Sequence, residues 1–224
     1  MFFRFIPILI AVAPILAINI CYLIAASFEH VAWCFPYLDG CTSISATGRH
    51  APENFIYRAT MLPIAVFMGL YWVLNYYWLI ELGDRLRWPR LTILFLGVIA
   101  AFFLVLYTTV LGAIGDIYQT QRRIGVTIYF SFTYLSQLLI TSRLWHLKKK
   151  RGQVRLGRVP EAQLLLCSAM LLLGLISIPL SVVEPQADNI IEWNFALLLS
   201  LYYLTTYYGW KNTGFELKFF LNTP

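Results

Sequence analysis

Polar side chains able to do chemistry are few in this 224-residue chain, and most of them gather in two short stretches. The first, Ser43 to Arg58, offers His50 and Glu53 as proton acceptors, Ser43 and Ser45 as hydroxyls and Arg58 as a cation. The second, Gly115 to Arg123, carries Asp116 and the adjacent pair Arg122 and Arg123. Guanidinium groups grip phosphate or carboxylate through two parallel hydrogen bonds, so this pair could clamp an anionic ligand. The other reading is internal pairing with Asp116, Glu53 or the acidic stretch of Glu184, Asp188 and Glu192. No nucleophile motif such as G-x-S-x-G accompanies these residues, which leaves His50 and Glu53 as catalytic candidates by residue type alone. The histidines (His30, His50 and His146) show no metal-binding spacing, so no metal and no cofactor is expected.

The elements that must position these groups are set by composition. The chain is 59% hydrophobic and 12% charged, where soluble domains run roughly 45–50% apolar and about 25% charged. Its solvent must largely be lipid, and lipid leaves helices as the way for such a chain to satisfy its backbone. Six apolar stretches reach spanning length, at roughly 20 residues per crossing. They are Phe5–Phe28, Phe55–Leu82, Leu91–Leu111, Arg123–Trp145, Ala162–Val183 and Trp193–Trp210. The first is too long for the apolar core of a cleaved signal peptide, about 7–15 residues, and reads as a retained helix. The expectation is an all-α polytopic membrane protein of six transmembrane helices, one domain over residues 1–224, with an extracytoplasmic loop at 29–54.

Basic residues set the orientation. With the N-terminus inside, only Arg49, Arg58, Arg122 and Arg123 of the 17 Lys and Arg fall on the outer side, while Lys211 and Lys218 fall inside. Both termini are therefore expected in the cytoplasm. The net charge of +6 lies in short runs between apolar segments, which argues against nucleic acid as a partner. The densest run, in the connection His146–Glu161, either attracts anionic lipid headgroups or serves as a topology determinant. Trp33, Trp88, Trp145, Trp193 and Trp210 lie near the predicted helix ends, as interfacial anchors or packing residues.

Within the fourth stretch Thr127, Ser131, Tyr134, Gln137 and Thr141 recur at steps of three and four and share a helix face. In a bilayer such a face turns toward neighbouring helices, to hydrogen-bond or to line a path, and Asn75 is a further partner of this kind. Cys34 and Cys41, seven apart in the outer loop, are the candidate disulfide, whereas Cys21 and Cys167 fall inside helices as small apolar residues. Beyond them Gly48 permits a bend with positive φ, Pro52 suits a first helical turn, and Glu53 meets the positive end of a helix dipole.

This segment resembles the Frag/DRAM/Sfk family of six-helix membrane proteins, which includes autophagy modulators and a GPI-anchor lipid-remodelling protein. The resemblance rests on Pro36-Tyr37, then Ile44-Ser45-Ala46-Thr47-Gly48, then Ala51-Pro52-Glu53 and Phe55. Two departures are Ala46, where autophagy-modulator-like members tend to carry Asp, and an apparent insertion at Asp39–Thr42. The resemblance implies membrane lipids as partners and a lipid-handling site facing the outer leaflet, in a bacterial inner membrane or a secretory-pathway membrane. If catalytic, it implies acyl transfer or related chemistry, for which residue type among the outer groups offers His50 or Glu53 as base, Ser43 or Ser45 as hydroxyl partner, and Arg58, Arg122 or Arg123 as clamp. Its other branches imply a non-enzymatic membrane regulator or lipid-asymmetry factor.

Overall fold

A computed structural model of the protein describes residues 2–152, 154–184 and 186–216; Lys218 lies outside them. Six long helices form the fold: α1 (Ile6–Ser27), α3 (Glu53–Glu81), α4 (Arg87–Thr109), α5 (Asp116–Arg151), α6 (Val159–Val183) and α7 (Ala187–Thr213). A single turn, α2 (Pro36–Asp39), sits in the connection after α1, and no strand occurs among the described residues. Each long helix packs on its neighbours in the chain, and α7 returns to pack on α1, so the six close into a ring. Arg4 donates to the Phe215 carbonyl and pairs with Glu216 at 2.9 Å, which brings the two ends of the bundle together. That end also holds the α5–α6 connection and is the basic end; the opposite end carries residues 28–52 and is the loop end.

Five of the six helices are long and apolar enough to cross a membrane. The sixth, α7, is of similar length, but its threonines, tyrosines and tryptophans lower its hydropathy. Burial runs opposite to that of a soluble protein. Leu16, Leu23, Phe95, Phe102, Leu165 and Leu172 point outward, while Asn75, Gln137, Thr141, Gln163 and Thr206 are wholly or almost wholly enclosed. Polar groups in lipid find partners within the bundle, and here a belt joins many of them, with the Asn75, Gln137 and Gln163 side-chain oxygens left over. Thr141 and Tyr202 share a 2.7 Å bond, the Tyr202 hydroxyl reaches the Gln137 carbonyl, Tyr71 and Thr206 meet at 2.9 Å, and Gln163 donates to Thr206. The lower part of the α5 stripe therefore joins helices to one another. Asn75 donates to the Tyr71 carbonyl one turn back in its own helix.

Three sequence expectations change in detail. At 36 residues α5 is about 54 Å long, well beyond a hydrocarbon core of about 30 Å. It starts at Asp116, so Arg122 and Arg123 lie on a helix rather than in a connection, and it ends at Arg151, so most of the basic run is helical too. Likewise α7 begins at Ala187, which puts Asp188 and Glu192 on its first turns. Among the tryptophans Trp33 and Trp88 are exposed, whereas Trp193 and Trp210 are core residues with no exposed surface.

Candidate functional site

The loop end is built around residues 28–52. Cys34 and Cys41 are joined in a disulfide that encloses α2, and the Asp39 carboxylate accepts the Phe35 N–H at the start of that turn. Gly40 has φ +61°, and a Cβ there would strike the Gln186 carbonyl, so this position needs glycine twice over. Four side chains of α7 then fasten the loop. Asn189 donates to the Gly40 carbonyl, Trp193 to Thr42 and Asn194 to Tyr37, while Glu192 accepts the Ile44 N–H at 3.3 Å. The Trp193 ring also meets Tyr37 and Tyr22 edge-on. Gly48 corrects the sequence reading: its φ is not positive, and the glycine is required because a Cβ would press on Tyr57 and Leu111.

The predicted site residues divide into groups. Glu53, fully enclosed, pairs with His30 Nδ1 at 2.7 Å through one oxygen, and its other oxygen has no partner; the His50 ring lies 4.7 Å from the His30 ring. Arg58 and Asn54 both donate to the Leu111 carbonyl, just past the end of α4, a structural task for one arm of the Arg58 fork, whose Nε has no partner. Asp116 lines a shallow apolar depression with Phe103 and Leu106, away from Arg122. Ser43 and Ser45 share a 3.1 Å hydroxyl bond, and Arg49 donates to Ser45. None of these links joins His50 or Glu53 to Arg122 or Arg123.

The arginines belong instead to a cleft of about 680 Å³ between the loop-end turns of α5 and α7. One wall is a single face of α5, with Gln119, Arg122, Arg123, Val126, Thr127 and Phe130 at helical steps of three and four. The facing wall is Asp188, Ile191, Glu192 and Phe195 of α7, and Ser45, Arg49, Tyr107 and Ser177 complete the lining. The cleft floor is aromatic, with Phe130 and Phe195 meeting edge-on at 5.8 Å. A narrow apolar slot of about 40 Å³ continues inward past Tyr107 and Glu192 toward Met61 and Tyr129. Arg122 and Arg123 donate no hydrogen bond to any described residue and take part in none of the ion pairs there. Tyr107, Gln119 and the α7 wall are functional candidates that residue type did not single out; the three-and-four spacing through Gln119, Arg122, Val126 and Phe130 is the signal for that face.

Burial pushes the Glu192 carboxyl up to about 7, against the Ile44 N–H and Arg49, which both favour its charge. A pKa raised in the folded state gives stability that is complete below the unfolded value, near 4.5, and is lost as pH rises through 7. Glu192→Gln keeps the acceptor for Ile44 and removes the titration. Its expected effect is no change in the thermal midpoint at pH 4 and, at pH 8, a gain over the wild type of about 1–3 kcal/mol. Parallel midpoint-against-pH curves for the two proteins would contradict this.

The family likeness extends over the bundle as well as the loop. A family model described as the Frag1/DRAM/Sfk1/Cwh43P N-terminal domain matches residues 2–213, from the residue before Phe3 on the basic end through the whole ring to the end of α7. No curated protein and no solved structure matches the chain. With apolar helices of spanning length and a match over nearly every described residue, the chain is an integral membrane protein that belongs to the Frag1/DRAM/Sfk1/Cwh43P N-terminal domain family.

Proposed function

We propose that this protein handles lipid by holding a phosphate-bearing headgroup of the outer leaflet in the α5–α7 cleft. The observation that carries this reading is the pair Arg122 and Arg123, unused by the fold, on the wall of a cleft with an aromatic floor. A guanidinium with no internal partner, beside an apolar surface, matches a ligand that is anionic at one end and hydrocarbon at the other. The cleft sits where α5 and α7 rise above their apolar parts, at the level expected of headgroups.

The reading includes six transmembrane helices with both termini in the cytoplasm. Closure of the ring by α7 and the meeting of Arg4 with Glu216 support an even number of crossings, and the basic end supports the direction. The disulfide fits an oxidising outer compartment, so the membrane is a bacterial inner membrane or one of the secretory pathway. At the cytoplasmic end the exposed Lys149, Lys150, Arg155 and Arg158 suit anionic headgroups, at about 1 kcal/mol for each basic residue near the surface.

A second reading, a non-enzymatic regulator or lipid-asymmetry factor, is favoured over acyl transfer by one feature. Ser45, the loop hydroxyl in the cleft lining, is bonded to Ser43 and Arg49, and both base candidates, His50 and Glu53, lie outside the cleft. The test is retention of phospholipid by the purified protein in lipid nanodiscs, read by native mass spectrometry. Replacing Arg122 and Arg123 together by Ala is expected to lower retention about tenfold or more, the value of one charge-assisted hydrogen bond. Unchanged retention in that variant would remove the cleft from the reading. Turnover of a labelled lipid, lost in His50→Ala or Glu53→Ala, would restore the enzyme.

A further inference from the structure

The cleft is not simply basic. Asp188 and Glu192 stand one helical turn apart on α7 and face the α5 wall that carries Arg122 and Arg123. Opposite charges lining one cavity ordinarily reach across and pair, because long side chains are mobile and the Coulomb gain is available. Here no ion pair within 4.0 Å joins the two walls among the described residues. The walls are held apart by the fold: α5 is fixed against α4 and α6, and α7 against α1 and α6, while contacts between α5 and α7 lie at the cleft floor and below it, at Phe130–Phe195 and Thr141–Tyr202. Glu192 is further held back by its bond to the Ile44 N–H, and Asp188 has a short side chain. The cleft therefore presents a cationic wall and a wall of two carboxyl acceptors at fixed separation, with room between them for a headgroup.

We propose that the preferred occupant is a phospholipid with a zwitterionic, primary-ammonium headgroup, its phosphate on Arg122 and Arg123 and its ammonium on Asp188 and Glu192. The proposal rests on the cleft being the phospholipid site and adds which headgroup it selects. Carboxylates are hydrogen-bond acceptors, and a primary ammonium brings three N–H donors to two of them. A trimethylated amine brings none and is better served by an aromatic cage; the aromatic residues here form the floor, toward the acyl chains. A glycerol headgroup leaves both carboxylates facing a neutral hydroxyl. A serine headgroup adds a carboxylate that meets Asp188 and Glu192 acceptor against acceptor, which is selection against the wrong ligand as well as for the right one.

The experiment is competition in nanodiscs containing equal amounts of ethanolamine, choline, glycerol and serine phospholipids with the same acyl chains, read as the lipid retained on the full chain. The wild type is expected to retain the ethanolamine lipid about tenfold over the glycerol lipid, about the effect of one charge-assisted contact. Asp188→Asn with Glu192→Gln is expected to bring that ratio to near one. Equal retention of all four lipids by the wild type would overturn the headgroup assignment while leaving the cleft as a phospholipid site. Retention that ignores Arg122→Gln with Arg123→Gln would overturn both. Free phosphoethanolamine is added in a separate arm: displacement of the lipid at equal concentration would overturn a membrane lipid as the ligand and point to a soluble zwitterion. Thermal midpoints at pH 7 serve as the folding control, and the carboxamide variants, being isosteric, are expected to fold.

Discussion

Arg143→Ala lowers the stability of this protein by about 3–5 kcal/mol at neutral pH, the range for leaving one partner of a buried pair unpaired. Asp84 lies in the turn between α3 and α4, and its side chain has no exposed surface. Arg143 of α5 reaches it with both arms of its fork, Nε to Oδ2 at 2.9 Å and Nη2 to Oδ1 at 2.7 Å. The Leu86 N–H donates to the same carboxylate, and Arg90 donates to the Asp84 carbonyl. Burial alone would raise the Asp84 pKa, but the hydrogen bonds from Arg143 and Leu86, with the charges of Arg143 and Arg90, outweigh it and hold the carboxyl below its usual value of 3.8. A depressed pKa gives stability that is present above the unfolded value and is lost as pH falls through the folded one, so the wild-type pair weakens only below about pH 4. In Arg143→Ala burial acts unopposed by the fork, the carboxyl takes up a proton more readily, and the deficit shrinks on acidification. Thermal unfolding in detergent at pH 7.5 and 4.5 measures both effects. Arg143→Lys, which keeps the charge and loses the fork, should fall between. A loss under 1 kcal/mol at pH 7.5 would mean that the pair is solvated and the argument mistaken.

How much of this could be read from the chain depends on what each signal measures. Apolar length located every long helix, since lipid-facing Leu, Ile and Phe must form continuous runs wherever the backbone crosses hydrocarbon. It could not locate helix ends, because a helix does not stop at the membrane surface. The first turns of α5, from Asp116 to Arg122, and the first turns of α7 are polar, so hydropathy assigns them to connections. The cleft is made of those two extensions. Arg122 and Arg123 were visible by type, and Asp188 and Glu192 were visible as acids opposite them, but their facing across a cavity follows from ring closure, a long-range property. The same limit applies to Glu53 and His30, 23 positions apart in sequence and 2.7 Å apart in space. Gly48 was legible as a glycine that had to be there and illegible in its reason, since crowding by Tyr57 and Leu111 depends on residues outside the local sequence.

A tight contact between α3 and α4 gives the second large effect. Gly97 of α4 faces Trp72 of α3, and a Cβ at that position would fall within the indole ring. Trp72 has no exposed surface and is held edge-on by Tyr71 at 4.9 Å, so it has no space to retreat into. Small residues let helix backbones approach within lipid, where packing rather than hydrophobic exclusion drives association. Gly97→Ala is expected to cost about 3 kcal/mol, the upper end of overpacking penalties, and Gly97→Val more than that. Gly174 of α6 is the control, since a Cβ there meets nothing within 4 Å and Gly174→Ala should be neutral or slightly stabilising. If crowding against the indole is the cause, Trp72→Phe introduced with Gly97→Ala should cost less than the sum of the two single changes, with a coupling of about 1–2 kcal/mol. Additive losses would show that the glycine matters for its backbone and not for its missing side chain. Because α3 also carries Tyr71, which bonds Thr206 across the ring, and α4 carries Tyr107 at the inner end of the cleft, a shift between these two helices would reach the polar belt and the site together. Gly97→Ala should therefore weaken phospholipid retention as well as folding, whereas Arg122→Ala with Arg123→Ala should weaken retention alone, and that difference separates positioning the cleft from contacting its ligand.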